Sequence, residues 1–319
     1  MLRLPLSIAS PGGRNGRLSI LIFHRVLPRP DPLFPYLPDA ASFEAQMRWV
    51  RDWFVVLPLA QAVERLYTGS IPARSLAISF DDGYADNEEV AAPILQRLGM
   101  TATIFISTGY LDGGCMWNDR LIEAVRGVEG DEIDLGALGL RRYRVGTLEE
   151  RRDTCVALVL DVKHVDTERR HALVDAIVER IGAPPPAPLM MSQTQVRNLR
   201  ILGMDVGAHT VSHPILTRLP AAIARDEIAS GKEQLEALLG ERIELFAYPN
   251  GLPRRDYASE HVEMVRGLGF SAAVSTARGA ASTRSDRFQL PRFPPWDRER
   301  WRYGARLLGN LRKAQPELA

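Results

Sequence analysis

Three short apolar runs, each cut off by polar residues, constrain the fold of this 319-residue chain more than any other feature. Residues 18–23 read Leu-Ser-Ile-Leu-Ile-Phe after a Gly-Arg-Asn-Gly turn, residues 76–80 read Leu-Ala-Ile-Ser-Phe, and residues 101–107 read Thr-Ala-Thr-Ile-Phe-Ile-Ser. Runs this short, with β-branched residues, suit buried strands. Between them lie helix-periodic stretches. One carries Phe43, Met47, Trp49 and Val50, with Ser42 as the expected N-cap, and another covers residues 87–98. Strand, helix, strand in this order predicts parallel strands joined by crossover helices. The rhythm resumes at residues 203–210, continues through an amphipathic helix expected over 222–239, and supplies strand-end candidates at 246–251 and 270–275.

The middle of the chain differs. Residues 118–182 are charged and helix-periodic, and a Pro-rich stretch over 183–188 closes them. The expected class is therefore α/β: a barrel over 18–295 with a helical insertion at about 118–188, an N-terminal extension over 1–17 and a basic C-terminal helix over 296–319.

Composition excludes some functions. Lys and Arg number 40 against 39 Asp and Glu, so no global charge draws the chain to nucleic acid, and no nucleic-acid motif is present. Cys115 and Cys155 have no zinc-like spacing. Two reduced cysteines, and an N-terminal apolar stretch interrupted by Pro5 and Ser7, lead to a cytoplasmic expectation. No segment reaches the roughly 20 apolar residues of a membrane span. The C-terminal stretch sets Arg298, Arg300, Arg302, Arg306, Arg312 and Lys313 among Trp296 and Trp301. It reads either as a helix packing one side on the barrel, which is favoured, or as a peripheral contact with the inner face of an anionic membrane.

Chemistry-bearing residues gather where strands end, and in parallel barrels those ends share one face. Asp81-Asp82-Gly83 follows the second run. Adjacent carboxylates on an extended backbone point in different directions and can take different tasks, although Asp-Asp-Gly alone also suits an ordinary turn. His209 and His213 lie four apart, a spacing that puts both imidazoles on one face of a helical turn. Such a pair needs a third oxygen or nitrogen ligand to leave a hydrolytic zinc an open position, and Asp82 is the candidate. Two surface or core histidines are the competing reading.

Ser-Phe-Asp-Asp-Gly (79–83), His-Thr-Val-Ser-His (209–213) and Phe-Ala-Tyr-Pro-Asn-Gly (246–251), in that order, resemble the motifs of the polysaccharide deacetylase family, which includes chitin and poly-N-acetylglucosamine deacetylases. The resemblance covers residues of about 18–115 and 189–295 and leaves the middle unmatched. It implies a distorted (β/α) barrel and a divalent metal, usually zinc, held by Asp82, His209 and His213. It makes Asp81 the general base that activates the attacking water, with a backbone N–H near Tyr248 stabilising the oxyanion. The implied substrate is an N-acetylated glycan; a small non-sugar amide, or glycan binding without turnover, are the alternatives.

Two departures from the family pattern shape the remaining assignments. The third motif usually carries an arginine that orients the catalytic aspartate, and Ala247 stands in its place; Arg292, after a candidate last strand, is the candidate replacement, with a surface arginine as the competing reading. Many members carry a general-acid histidine near the C-terminus, but no histidine follows His261, which lies in a charged helix-like segment. His24, directly after the first strand, is the expected acid, as in the poly-N-acetylglucosamine deacetylase branch, which looks similar. Trp117, Asn118 and Pro249 are expected to contact the sugar, with Asp119 beside them; Trp117 reads equally as packing. Asn87 is expected to cap its helix.

Overall fold

The apolar runs meet in one sheet. In the computed structural model, which describes residues 2–165, 167–184, 187–313 and 318–319, the strands are β1 (Leu18–Phe23), β2 (Val55–Val56), β3 (Ser75–Phe80), β4 (Thr103–Ile106), β5 (Glu132–Asp134), β6 (Arg142–Arg144), β7 (Asp205–Ala208), β8 (Leu245–Ala247), β9 (Ala272–Arg278) and β10 (Leu290–Arg292). All but β5 and β6 form a parallel sheet in the order β1-β3-β4-β7-β8-β9-β10, with β2 also on β3. The sheet curls until Phe293, just past β10, meets β1. Its N–H donates to the Ile20 carbonyl at 2.8 Å and its carbonyl accepts from Ile22 at 3.2 Å. The strand-helix rhythm thus yields the expected distorted parallel barrel.

Eleven α-helices accompany the strands among the described residues: α1 (Arg3–Ala9), α2 (Ala40–Trp53), α3 (Leu59–Tyr67), α4 (Ala92–Arg97), α5 (Trp117–Gly127), α6 (Leu148–Lys163), α7 (Thr167–Ile181), α8 (Gln193–Ile201), α9 (Ala221–Leu239), α10 (Ser259–Gly267) and α11 (Arg300–Leu311). Strand alternation sorts the core into two faces. Leu18, Ile20, Ala77, Phe105, Ala247 and Val274, from strands around the whole sheet, form one inner cluster with α3. Leu21, Phe23, Ile78, Phe80 and Phe246 face outward against the other helices. Gly207 lets Phe105 occupy the interior, since a Cβ there would come within 2.4 Å of its ring.

Three local expectations are corrected. The N-cap of α2 is Asp39, whose carboxylate accepts from the Ser42 N–H at 2.7 Å; Ser42 is the third-residue partner, its hydroxyl accepting from the Asp39 N–H at 3.0 Å. The insertion is not purely helical. It holds α5, α6, α7 and the antiparallel hairpin β5–β6, where only the central Ile133 and Tyr143 are buried. Leu121, Leu158, Val162, Val174 and Ile177 give it a core of its own. Pro185 and Pro186, from the expected Pro-rich stretch, lie outside the described residues. The C-terminal helix is shorter than the expected 296–319: α11 spans 300–311, and it buries Tyr303, Leu307 and Leu311 while leaving Trp301 exposed. No described helix is long and apolar enough to cross a membrane.

Candidate active site

At the C-terminal end of β3 the two adjacent aspartates part company. Asp81 stays in the sheet, its N–H donating to the Phe23 carbonyl at 3.0 Å. Asp82 turns into the left-handed region at φ 79° and Gly83 follows at φ 90°. That conformation is costly for a non-glycine residue and persists only where surrounding structure enforces it. The result is two carboxylates aimed at different partners.

Asp81 meets Arg292 of β10 in a fork-to-fork pair, Nη1 to Oδ1 at 2.6 Å and Nη2 to Oδ2 at 2.7 Å. The fully buried guanidinium is fixed further by the Ser275 carbonyl at 2.9 Å and the Ser79 hydroxyl at 3.2 Å. Burial pushes the Asp81 carboxyl upward, but the Arg292 charge outweighs it and holds the group below the usual carboxylate range. Arg292 on β10 thus reaches across the barrel seam to Asp81 and supplies the charge that Ala247 does not.

Asp82 faces two imidazoles. Its Oδ1 lies 3.4 Å from Nε2 of both His209 and His213, too far for good hydrogen bonds, and this buried oxygen accepts none. His209 points its other nitrogen, Nδ1, at the Ala247 carbonyl, 2.7 Å away. A proton on Nδ1 satisfies that carbonyl and leaves the Nε2 lone pair aimed at Asp82, the arrangement of a metal-ligating histidine. Burial lowers the pKa of His213 to about 4, which keeps it neutral and available as a ligand. A buried, unpartnered carboxylate oxygen converging with two imidazole nitrogens fits a divalent cation, and the nitrogen-rich donor set fits zinc.

The helical-turn expectation for His209 and His213 fails. The segment is a loop after β7 with Thr210 at φ 66° and His213 at φ 54°. It is held instead by α9, whose Glu227 accepts from the N–H groups of Val211 and Ser212 at 2.9 and 2.8 Å and from the Ser212 hydroxyl at 2.7 Å. Helix α9 approaches so closely that a Cβ on Gly231 would meet the Thr210 carbonyl at 2.9 Å. Neither Glu227 nor Gly231 carries a sequence signal beyond its place in an amphipathic helix.

These groups form the floor of a cleft of about 940 Å³, whose lining includes His24, Trp117, Asn118 and Asp119. His24 is exposed on the turn after β1. The turn is clamped from below: Asn87 donates to the His24 carbonyl at 2.8 Å, and Asp86 accepts from the Val26 N–H at 3.1 Å and from Arg25 Nε at 2.8 Å. Asn87 therefore steadies this turn rather than capping a helix. The buried Asp119 carboxyl accepts from the Tyr84 hydroxyl at 2.8 Å, and burial pushes its pKa up to about 7. Asp31 and Glu123 both hold Arg126, and Asp256 lies beside Arg255. Burial raises the Cys115 and Cys155 thiols to about 12, so neither is a ready nucleophile.

Two expected residues point elsewhere. The Tyr248 N–H donates to the Val274 carbonyl at 3.2 Å, and its buried ring stacks on Tyr257 with centroids 3.8 Å apart. Pro249 is buried and outside the cleft lining. Asn250, at φ 58°, lines the cleft in their stead, and its N–H meets no acceptor among the described residues. His261 is buried, its Nδ1 accepting from the Ala258 N–H at 3.0 Å, and it too lies outside the cleft lining.

Comparison with known proteins places the chain in a family and matches its fold. The family model described as polysaccharide deacetylase matches residues 68–273, well over half of the chain. The Bacillus subtilis protein YxkH, itself named for that family, is 22% identical over 281 residues, covering 88% of this chain and 71% of its own. Among solved structures, the Streptococcus pyogenes deacetylase PplD in complex with acetate superimposes with a TM-score of 0.62 at 17% identity, covering 94% of this chain and 100% of its own. IcaB from Ammonifex degensii gives a TM-score of 0.58 at 17% identity, covering 95% of this chain and 99% of its own. Motifs, site and family match converge: the chain belongs to the polysaccharide deacetylase family of hydrolases.

Proposed function

We propose that the chain hydrolyses the N-acetyl groups of N-acetylhexosamine units in a polysaccharide or lipid-linked glycan, with a zinc ion held by Asp82, His209 and His213. The observation that carries this reading is the buried, unpartnered Asp82 Oδ1 facing two imidazole nitrogens, with the ionised Asp81 next to it. When bound, the metal supplies Lewis acidity that polarises the acetamide carbonyl and acidifies water.

The chain's own groups then divide the work. Asp81, kept ionised by Arg292, accepts the proton of the attacking water. Arg292 acts through Asp81 as a positioning residue. The Asn250 N–H is the oxyanion donor in place of the Tyr248 amide, which the sheet occupies. His24, exposed to the same cleft, gives the departing amine its proton, without which C–N cleavage stalls. Trp117 and Asn118 form the wall against which the sugar rests, with Trp117 itself steadied by the Arg170 guanidinium 4.9 Å from its ring.

The test is acetate release from N-acetylglucosamine oligomers, before and after chelation and again after zinc is restored. Release that disappears on chelation and returns with zinc supports the reading. A zinc-loaded protein that releases no acetate from any oligomer points to another amide substrate or to glycan binding without turnover.

A further inference from the structure

The cleft carries more positive charge than its own carboxylates use. Asp31, Asp81, Glu123 and Asp256 are paired with arginines, Asp119 is bonded to Tyr84 and Asp82 faces the two histidines. Lys163, Arg278 and Arg298, by contrast, line the same cleft with no carboxylate in ion-pair range among the described residues, although Lys163 feels the Asp256 charge. They come from separate segments: the end of α6, the end of β9 and the stretch beyond β10. Arg298 is aimed by backbone rather than by an acid, its Nη2 donating to the carbonyls of Pro35 and Leu37. Asp39 feels its charge but spends its carboxylate on the cap of α2. Arg278 lies over the Trp296 ring at 5.4 Å, and that indole is 65% exposed at the cleft edge.

An exposed indole offers a face on which a sugar ring stacks, and guanidinium forks offer paired donors that match phosphate or carboxylate. A neutral glycan uses only the indole. It would leave the charges of all three cations without a counter-charge from the substrate, in a cleft whose floor fits a further cation. An acidic glycan compensates them. We infer that the substrate carries an anionic group, a phosphate or a carboxylate, close to the N-acetylated sugar, and that Arg278 and Arg298 beside Trp296 select for it. This inference rests on the deacetylase reading and adds the class of glycan.

The experiment measures kcat/KM for acetate release from three probes: a neutral N-acetylglucosamine pentamer, N-acetylglucosamine joined through a diphosphate to a short prenyl chain, and an oligosaccharide alternating N-acetylglucosamine with glucuronate. At least one anionic probe is expected to exceed the pentamer by about tenfold, with the advantage shrinking as salt is raised. Preference for the diphosphate identifies a carrier-linked sugar, and preference for the uronate identifies an acidic polymer. In the Arg278→Ala/Arg298→Ala double variant the preference falls by about tenfold through KM, and the double lysine variant, which keeps the charge but loses the paired donors, keeps only part of it. Equal use of all three probes by the wild type, or a preference that survives the alanine pair, overturns the inference while leaving the deacetylase reading intact. Acetate from none of the three sinks that reading and this inference with it.

Discussion

The barrel floor and the cleft wall are built on opposite principles. On the floor, the functional side chains are buried, His213 partly so, and their backbone or side chains are fixed by the sheet and the loops after it. Asp81 is gripped by Arg292, His209 is fixed by the Ala247 carbonyl, and Asp82 is forced into a left-handed turn. On the wall, His24 is exposed and held only through its backbone, and Trp117 opens a helix of an insertion that has its own core. In the proposed mechanism, metal holding and water activation therefore fall to groups with little freedom, whereas proton delivery by His24 and contact with the sugar fall to groups that can vary without disturbing them.

Substitutions can break or sharpen this division. The largest effect falls on the floor: Asp82→Ala or His209→Ala should empty the metal site and cut acetate release on the order of 10⁶-fold, because the groups act as a unit. Metal analysis alongside kinetics checks this. His24→Ala should keep its metal and its melting temperature yet lose roughly 10²–10⁴ in kcat, the usual contribution of one general acid. Arg292→Ala should destabilise the fold by about 3–5 kcal/mol in denaturant titration, since it strands the buried Asp81 carboxylate. If it is as stable as an exposed variant, the floor is less rigid than argued. Trp117→Ala should raise KM several-fold with little change in kcat, a wall effect.

The smallest effect is a matter of pH. The folded Asp119 carboxyl sits at about 7, above its ordinary value of 3.8. A raised carboxyl pKa favours the folded state fully below the unfolded value, and that advantage is lost as pH rises through the folded one. Asp119→Asn should therefore melt above the wild type at pH 8, with the gap closing towards pH 4. A gap independent of pH would show that Asp119 is not held protonated.

Much of this was legible in the sequence because buried parallel strands write themselves as short apolar runs, and their ends mark the active face. That logic placed Asp81, Asp82, His209 and His213 together; for Arg292, the family resemblance implies an arginine that Ala247 replaces, and the position after a strand makes Arg292 the candidate. It failed where loop geometry overrides spacing. A four-residue gap between histidines looks helical, but Glu227 pulls the segment into a loop from a distant helix. Asn250 is not among the expected residues: Pro-Asn-Gly announces a turn, and Asn tolerates its φ of 58°, but which side chain or amide that turn aims into the cleft is set by tertiary packing. The hairpin in the insertion escaped notice because Glu-Ile-Asp and Arg-Tyr-Arg each bury a single side chain.

The central claim is that Asp81 moves the proton while its neighbour Asp82 holds the metal. Asp81→Asn, with bound zinc and acetate release measured on the same preparation, tests it most directly. The account predicts a full complement of zinc and a turnover reduced by roughly 10²–10⁴. A variant that loses its zinc, or one that keeps both zinc and turnover, would contradict the division of labour between the two aspartates.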